Sequence, residues 1–455
     1  MISSRREFIK LSAACGATAL LPFAPLSALA APRRSEPHFF LQYCLPGGFD
    51  WSYLFDARPL SMTQAGLIQN YSGKEPSVWE GVNGTKALVT EAADSLKPLK
   101  DYFSVLNGVH MSLSFNGHAQ NLNYLLAGNP FGGPCFLPEL NHRGELPIDG
   151  VQNGTSFQTL TNMGGFVPLT GATAEQLVGS MQRQSVIEPG SRKWKHVLAR
   201  FAANASAGGG SFSLASRLLL ETVPKAALVE EVVRNTRITT PASTDPASVP
   251  FMNVITATFL SGLSKSALIF EDLRLDTHAP ADAKQNPVKA LAIATRIKAV
   301  IEALRSTPYD STRSLYDVTT FMFNTEFNRT LRQPGTPIDE TGTDHNSYSN
   351  TLVIGGKGIR GGWVVGESDF ASELETLSAV HTSLDPRKLM TVGRAFDFAA
   401  LKPRTAAPST YDVADYLGIG SVINTIYASF GVPEAKWRLL GRSLPPAPVL
   451  KGLLA

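Results

Sequence analysis

The chain is short of cysteine and of net charge. It holds three cysteines in 455 residues, at 15, 44 and 135. Cys15 lies in an N-terminal leader, so at most one disulfide can form in what remains. A Cys44–Cys135 bridge in an oxidising compartment and two buried thiols are both compatible with that count. Forty-one basic residues against 38 acidic ones leave a net charge of +3. The leader's Arg5, Arg6, Lys10 and Glu7 supply +2 of it, so the rest is near neutral and carries no basic field for a nucleic acid. Past the leader there is no long apolar run, which argues against a stable membrane span. Internal repeats are missing, and so are a Gly-x-Ser-x-Gly elbow and a defensible Ser-His-Asp spacing. Gly355-Gly356-Lys357-Gly358, followed by Gly361-Gly362, lacks the Lys-Ser/Thr ending of a phosphate-binding loop and reads as a tight hairpin connection.

What is present begins with an address. Ser4-Arg5-Arg6-Glu7-Phe8-Ile9-Lys10 fits a twin-arginine export signal, followed by an apolar stretch from Leu11 to Leu29 and an Ala28-Leu29-Ala30 cleavage site. Pro22 and Pro25 interrupt that stretch, which is too short to span a bilayer cleanly. The expectation is a leader over residues 1–30, handed to the twin-arginine translocase, and a periplasmic or secreted protein over 31–455. That part is read as one domain, with Ala/Gly/Ser/Thr/Pro-rich surface insertions near 202–210 and 236–250.

Apolar strand-like runs alternate with helical patterns, which predicts an α/β fold with a mostly parallel sheet covered by helices. The strands are expected at His38–Tyr43, Phe103–Leu106, Ala267–Leu275, Val318–Phe323 and Thr351–Ile354. One helix is expected over Asn286–Arg305, capped by Asn286, with Leu291, Ala294, Ile297, Ile301 and Leu304 as its apolar face. Another is expected over Val413–Phe430.

Carboxylates and imidazoles follow several of these strands. Gly47-Gly48-Phe49-Asp50 turns out of the first. Asp276-Thr277-His278, Glu326 and Asp344-His345 follow later apolar runs. Such groups at strand ends converge on one sheet edge, where divalent ions are commonly held.

These motifs, taken in order with NGHAQN at 116–121, LDTH at 275–278, TEFNRT at 325–330 and TDHNSYSNTLVIGGKGIRGG at 343–362, resemble the domain of unknown function 1501 family. That family is an exported branch of the alkaline phosphatase and sulfatase superfamily, and the resemblance runs over roughly residues 38–433. It implies an alkaline-phosphatase-like doubly wound sandwich with a metal site at the carboxyl edge of the sheet. Carried over residue by residue, it implies Asp50, Asp276, His278, Glu326, Asp344 and His345 as ligands of one or two divalent ions, zinc or manganese by their mixed oxygen and imidazole chemistry. A pair of ions would clamp a phosphate or sulfate ester. Arg329 would complement the anionic ester with its planar fork, or pair with a neighbouring carboxylate.

The chain departs from the family pattern at two positions. Gly117 stands before His118 where relatives tend to carry Ser, which removes one candidate nucleophile. Ser112 and Ser114 are the nearest other hydroxyls, and a divalent ion that acidifies its bound water offers a route without serine. His118 then reads as a ligand, a proton carrier or a structural hydrogen bonder. Trp51 follows Asp50 where a small residue is usual, and its ring is expected to narrow the site. Two functions fit: a metal-dependent phosphoric or sulfuric ester hydrolase, and a non-catalytic envelope binding or assembly protein that retains the fold.

Overall fold

The computed structural model describes residues 36–64, 73–111, 117–143, 146, 148–153, 166–169, 252–331, 342–369, 390–406, 408, 412–440 and 446–455. The expected leader, Ser112, Ser114 and the two insertions lie outside the described residues.

Ten strands matter to the site: β1 (Phe39–Cys44), β2 (Phe103–Val109), β3 (Ile148–Asn153), β4 (Phe166–Leu169), β5 (Ser264–Phe270), β6 (Thr319–Asn324), β7 (Asn328–Arg329), β8 (His345–Asn346), β9 (Asn350–Gly356) and β10 (Val364–Val365). Eight of them form one sheet in the order β10-β2-β9-β6-β1-β5-β3-β4. Every pairing is parallel except those of β9, which runs antiparallel to both β2 and β6. β7 and β8 form a separate antiparallel ribbon in which His345 pairs with Arg329.

Alternation along the central strand builds two cores. Phe39, Leu41 and Tyr43 point to one face and pack with Ile293, Ile297 and Ile301 of helix α2 (Asn286–Ser306). Phe40 and Cys44 point to the other and pack with Leu122 and Leu126 of α1 (His118–Ala127) and Val422 and Ile426 of α3 (Ile419–Phe430). A strand covered on both faces cannot show a solvated side, which is why β1, β5 and β6 carry apolar residues on both faces, with their polar residues, such as Gln42, buried as well. The class is α/β, with a mostly parallel sheet between helical layers.

Several expectations change in detail. The strand expected over Ala267–Leu275 is displaced towards the N-terminus and stops at Phe270, so residues 271–278 are free to leave the sheet. Asn286 is the first residue of α2 rather than its cap; Gln285 holds the cap position and makes no side-chain capping bond. Leu291, placed on the buried face by periodicity, is 54% exposed, while Ile293 and Val300 are buried. The helix expected from Val413 starts at Ile419, after a short 3-10 turn over Val413–Asp415. The glycine-rich segment is no hairpin: β9 lies on one side of β2 and β10 on the other, so the chain crosses beneath β2. Cys44 and Cys135 are free, buried thiols.

Trp51 does not cover the site. Its ring is buried in the core, edge-on to Phe49, and its Nε1–H donates to Asn350 Oδ1 at 3.0 Å. Burial of a large ring with its one donor satisfied is the stable placement, and this one ties the first loop to the start of β9.

Candidate metal centre

β1, β2, β5 and β6 point the same way, so their carboxyl ends share one edge, and the antiparallel β9 begins at that edge. Gly47 to Asp50 leave β1, Asp276 and His278 follow β5, Glu326 and Arg329 follow β6, and His345 precedes β9. His118 opens α1 after β2. Segments far apart in sequence are brought to this one edge by strand direction.

Four side chains converge. One ligand atom from each of His118, Asp276, His278 and His345 lies within 4.8 Å of every other. Atoms bonded at about 2.0–2.2 Å to one ion are at most about 4.4 Å apart, so a small contraction would close the group around an ion. Asp276 and His278 are two residues apart, and His278 Nε2 is 3.2 Å from Asp276 Oδ1. The Nε2 atoms of His278 and His345 face each other at 2.9 Å. Two imidazole nitrogens at that distance need a proton or a cation between them.

The supports around the cluster are specific. His118 Nδ1 is 2.6 Å from Glu326 Oε1. A carboxylate only accepts, so Nδ1 carries the proton and Nε2 turns its lone pair to the cluster, as a histidine ligand needs. Glu326 also accepts from the Gly47 N–H at 2.8 Å. Buried His118 Nε2 and Glu326 Oε2 have no hydrogen-bond partner. Unsatisfied buried lone pairs are costly, and their position beside the cluster fits the donor set for a divalent cation.

Arg329 lies beneath, fully buried. Its Nη2–H donates to Asp276 Oδ1 at 2.6 Å and also to the Gly47 carbonyl, its Nε–H donates to the Gly48 carbonyl at 3.2 Å, and Nη1 is 3.4 Å from His278 Nε2. Burial pulls the guanidinium below its ordinary value, against the opposing pull of Asp276. For Asp276, burial works upward but is outweighed by the hydrogen bond and charge of Arg329, with help from His118 and His278, and the carboxyl is held below its usual range. Of the two roles expected for Arg329, the geometry gives the pairing with a carboxylate.

Three expected ligands lie outside the four: Glu326, which holds His118, and Asp50 and Asp344. Asp50 is buried and spends its Oδ1 on Ser52, accepting from the backbone N–H at 3.1 Å and the hydroxyl at 2.5 Å. Burial pushes its carboxyl up to about 7 despite those two bonds. Asp344 is half-exposed, accepts from the His345 N–H at 2.7 Å and is 4.0 Å from His278 Nδ1.

Some contributors were missed in the sequence. Thr277 and Thr343 bond through their hydroxyls at 2.6 Å, and the Thr343 N–H donates to the Thr277 carbonyl at 2.8 Å. That clamp brings His278 to His345. Thr330 Oγ1 accepts from the Asp344 N–H at 2.7 Å. Phe327 packs its ring against His118 and His345, with centroids 4.9 and 4.4 Å away. The signal was the threonine in each of Asp-Thr-His and Thr-Asp-His, but nothing local says that the two pair.

A family model described as a protein of unknown function, DUF1501, matches residues 270–391. That segment carries Asp276, His278, Glu326, Arg329, Asp344 and His345, and is the part of the expected resemblance that a family model supports. No curated protein matches the chain. Among solved structures, it is similar to the PsFucS1 sulfatase from Pseudoalteromonas sp., at 10% identity over 84% of this chain and 72% of that one, with a TM-score of 0.31. It is similar also to the lipoteichoic acid synthase LtaP from Listeria monocytogenes, at 11% identity over 73% of this chain and 68% of that one, with a TM-score of 0.30. Ps i-CgsB, solved with k-i-k-neocarrahexaose, is 9% identical over 76% of this chain and 72% of that one, with a TM-score of 0.30. The fold described above rests on strand order and register.

Proposed function

We propose that this chain is an exported, metal-binding protein of the alkaline phosphatase and sulfatase-like superfamily that hydrolyses a phosphate or sulfate ester. The observation that carries the proposal is the convergence of His118, Asp276, His278 and His345 at the carboxyl edge of the sheet. Three imidazoles and a carboxylate are a donor set suited to zinc, and manganese is the alternative. An ion held there would draw charge from an ester oxygen. The protein's own groups hold and tune the set: Glu326 orients His118, Arg329 orients Asp276, and the Thr277–Thr343 clamp aligns His278 with His345. Asp276 and His278 are half-exposed, so an ester has an approach from solvent. His118 Nε2, 3.6 Å from Asp276 Oδ2, is the group suited to carry a proton wherever it is not engaged as a ligand.

The arginine pair, apolar stretch and Ala28-Leu29-Ala30 site support export. No helix among the described residues is long and apolar enough to cross a membrane. One observation favours the non-catalytic envelope role: Gly117, in extended conformation at the cap of α1, supplies no hydroxyl beside His118. The deciding experiment is a panel of aryl and sugar phosphates and sulfates, run on metal-loaded protein and after chelation. Slow turnover that chelation and His278→Ala both abolish is expected. Turnover that persists without metal would overturn the hydrolase reading, and tight metal binding with no turnover would favour the binding role.

A further inference from the structure

The number of ions was left open by the sequence, and the surroundings of Arg329 bear on it. Its guanidinium is fully buried and hydrogen-bonded to Asp276 Oδ1 at 2.6 Å, the oxygen that is also 3.2 Å from His278 Nε2. It is anchored from below by the carbonyls of Gly47 and Gly48. An arginine stays charged in proteins and cannot leave its counter-charge by deprotonation. One oxygen of the only carboxylate among the four converging residues is therefore already matched with a permanent cation.

Charge balance points the same way. Asp276, Glu326 and Asp344 bring three negative charges to the cluster, and Arg329 brings one positive charge. The remainder, two negative charges, neutralises one divalent ion. A second ion would leave two positive charges uncompensated next to a buried guanidinium, and buried charge without a partner is costly. Lys289, which also feels Asp276 and Arg329, is held outside by the carbonyls of Arg274 and Asp282. Asp50, whose carboxyl would be needed to balance a second ion, is bonded to Ser52 instead.

We propose that Arg329 is the fixed second cation of this centre, occupying the side of Asp276 that a second divalent ion would need, so that the site binds one ion. The inference rests on the metal reading above, and it assigns Arg329 as a positioning residue for Asp276.

The test is metal stoichiometry in the purified full-length chain, by elemental analysis after dialysis against zinc or manganese and by calorimetric titration. Wild type is expected to bind one equivalent. Arg329→Lys, which keeps the charge, should also bind one. Arg329→Gln, which removes the charge and keeps hydrogen-bond donors, should take up a second equivalent. Two equivalents in wild type, or one unchanged equivalent in folded Arg329→Gln, would overturn the role given to Arg329 and leave the metal reading standing. No bound metal in folded wild type would overturn the metal reading itself, and this inference with it. Should Arg329→Gln fail to fold by circular dichroism, wild type and Arg329→Lys still decide: more than one equivalent in either overturns the proposal.

Discussion

Gly48 lies directly against the ring of Phe327: a Cβ added to it would sit 2.1 Å from Cε2 of a fully buried phenyl group. Its φ is +68°, in the left-handed region. The same turn offers the two carbonyls that hold Arg329, so backbone geometry at Gly48 is transmitted to Asp276. Gly48→Ala adds the left-handed penalty to overpacking and is expected to cost about 2 kcal/mol or more. Metal affinity should fall with it. Urea unfolding and calorimetry measure the two effects, and a Gly48→Ala variant as stable as wild type would contradict the packing described.

His345→Ala and Asp50→Asn should separate ligand from bystander. Removing the His345 imidazole takes away one of the four converging ligand atoms, and a loss of metal affinity of at least about tenfold is expected, given that even outer partners contribute about 10–100-fold. Asp50 holds Ser52 rather than the cluster, and Asn keeps an acceptor for that bond. Asp50→Asn should therefore retain one equivalent of metal at near wild-type affinity in a titration. Loss of the metal on that change would place Asp50 back in the ligand set.

Acid should weaken the opposite end of the sheet. His38 bonds to Thr320 Oγ1 at 2.7 Å and stacks on Phe430, and burial, with Lys357 and Lys265 nearby, lowers its pKa to about 3. An unfolded histidine titrates near 6.5. Between those values the unfolded chain holds a proton that the folded chain refuses, so stability is full above about pH 6.5 and falls as pH drops, by up to about 1.4 kcal/mol per pH unit for one group. Buried His110, lowered to about 4, adds to the slope. His38→Gln is expected to flatten the plot of unfolding free energy against pH between about 6 and 4; an unchanged slope would rule out this origin.

The two faces of α2 should answer differently to truncation. Ile297 is wholly buried and Leu291 is 54% exposed. Ile297→Ala is expected to cost about 2–5 kcal/mol and Leu291→Ala well under 1 kcal/mol. Equal costs in urea melts would mean that Leu291 is covered in solution.

Export is testable without the folded structure. Arg5→Lys together with Arg6→Lys should leave precursor in the cytoplasm, seen as the larger band in fractionated cells. Normal processing and periplasmic recovery of the double variant would show another route.

Most of the layered architecture was legible because strands buried on both faces carry apolar side chains on both, and β1, β2, β6 and β9 were each located to within a few residues. The errors share one cause. Leu291 has the helical spacing of a core residue, but periodicity does not report where the neighbouring layer ends. The glycine-rich segment has hairpin composition, yet the crossing under β2 depends on which strands are already paired. Trp51 was judged by size beside Asp50, whereas its indole is drawn inward by Asn350, 299 residues away.

The sequence alone determined the chemistry available: carboxylates and imidazoles after apolar runs, an arginine after Glu326, and glycines where the first strand turns. Each depends on residue type and near neighbours. Only the tertiary structure decided which of these meet. Asp276, His278 and His345 converge with His118 because parallel strands share a carboxyl edge and Thr277 clamps Thr343. Asp50 turns to Ser52, and Arg329 turns to Asp276 and the Gly47–Gly48 carbonyls. Apart from the local Asp50–Ser52 pair, those choices are fixed by contacts across more than fifty residues of chain, and by the cost of leaving a buried charge or lone pair without a partner, which no local pattern records.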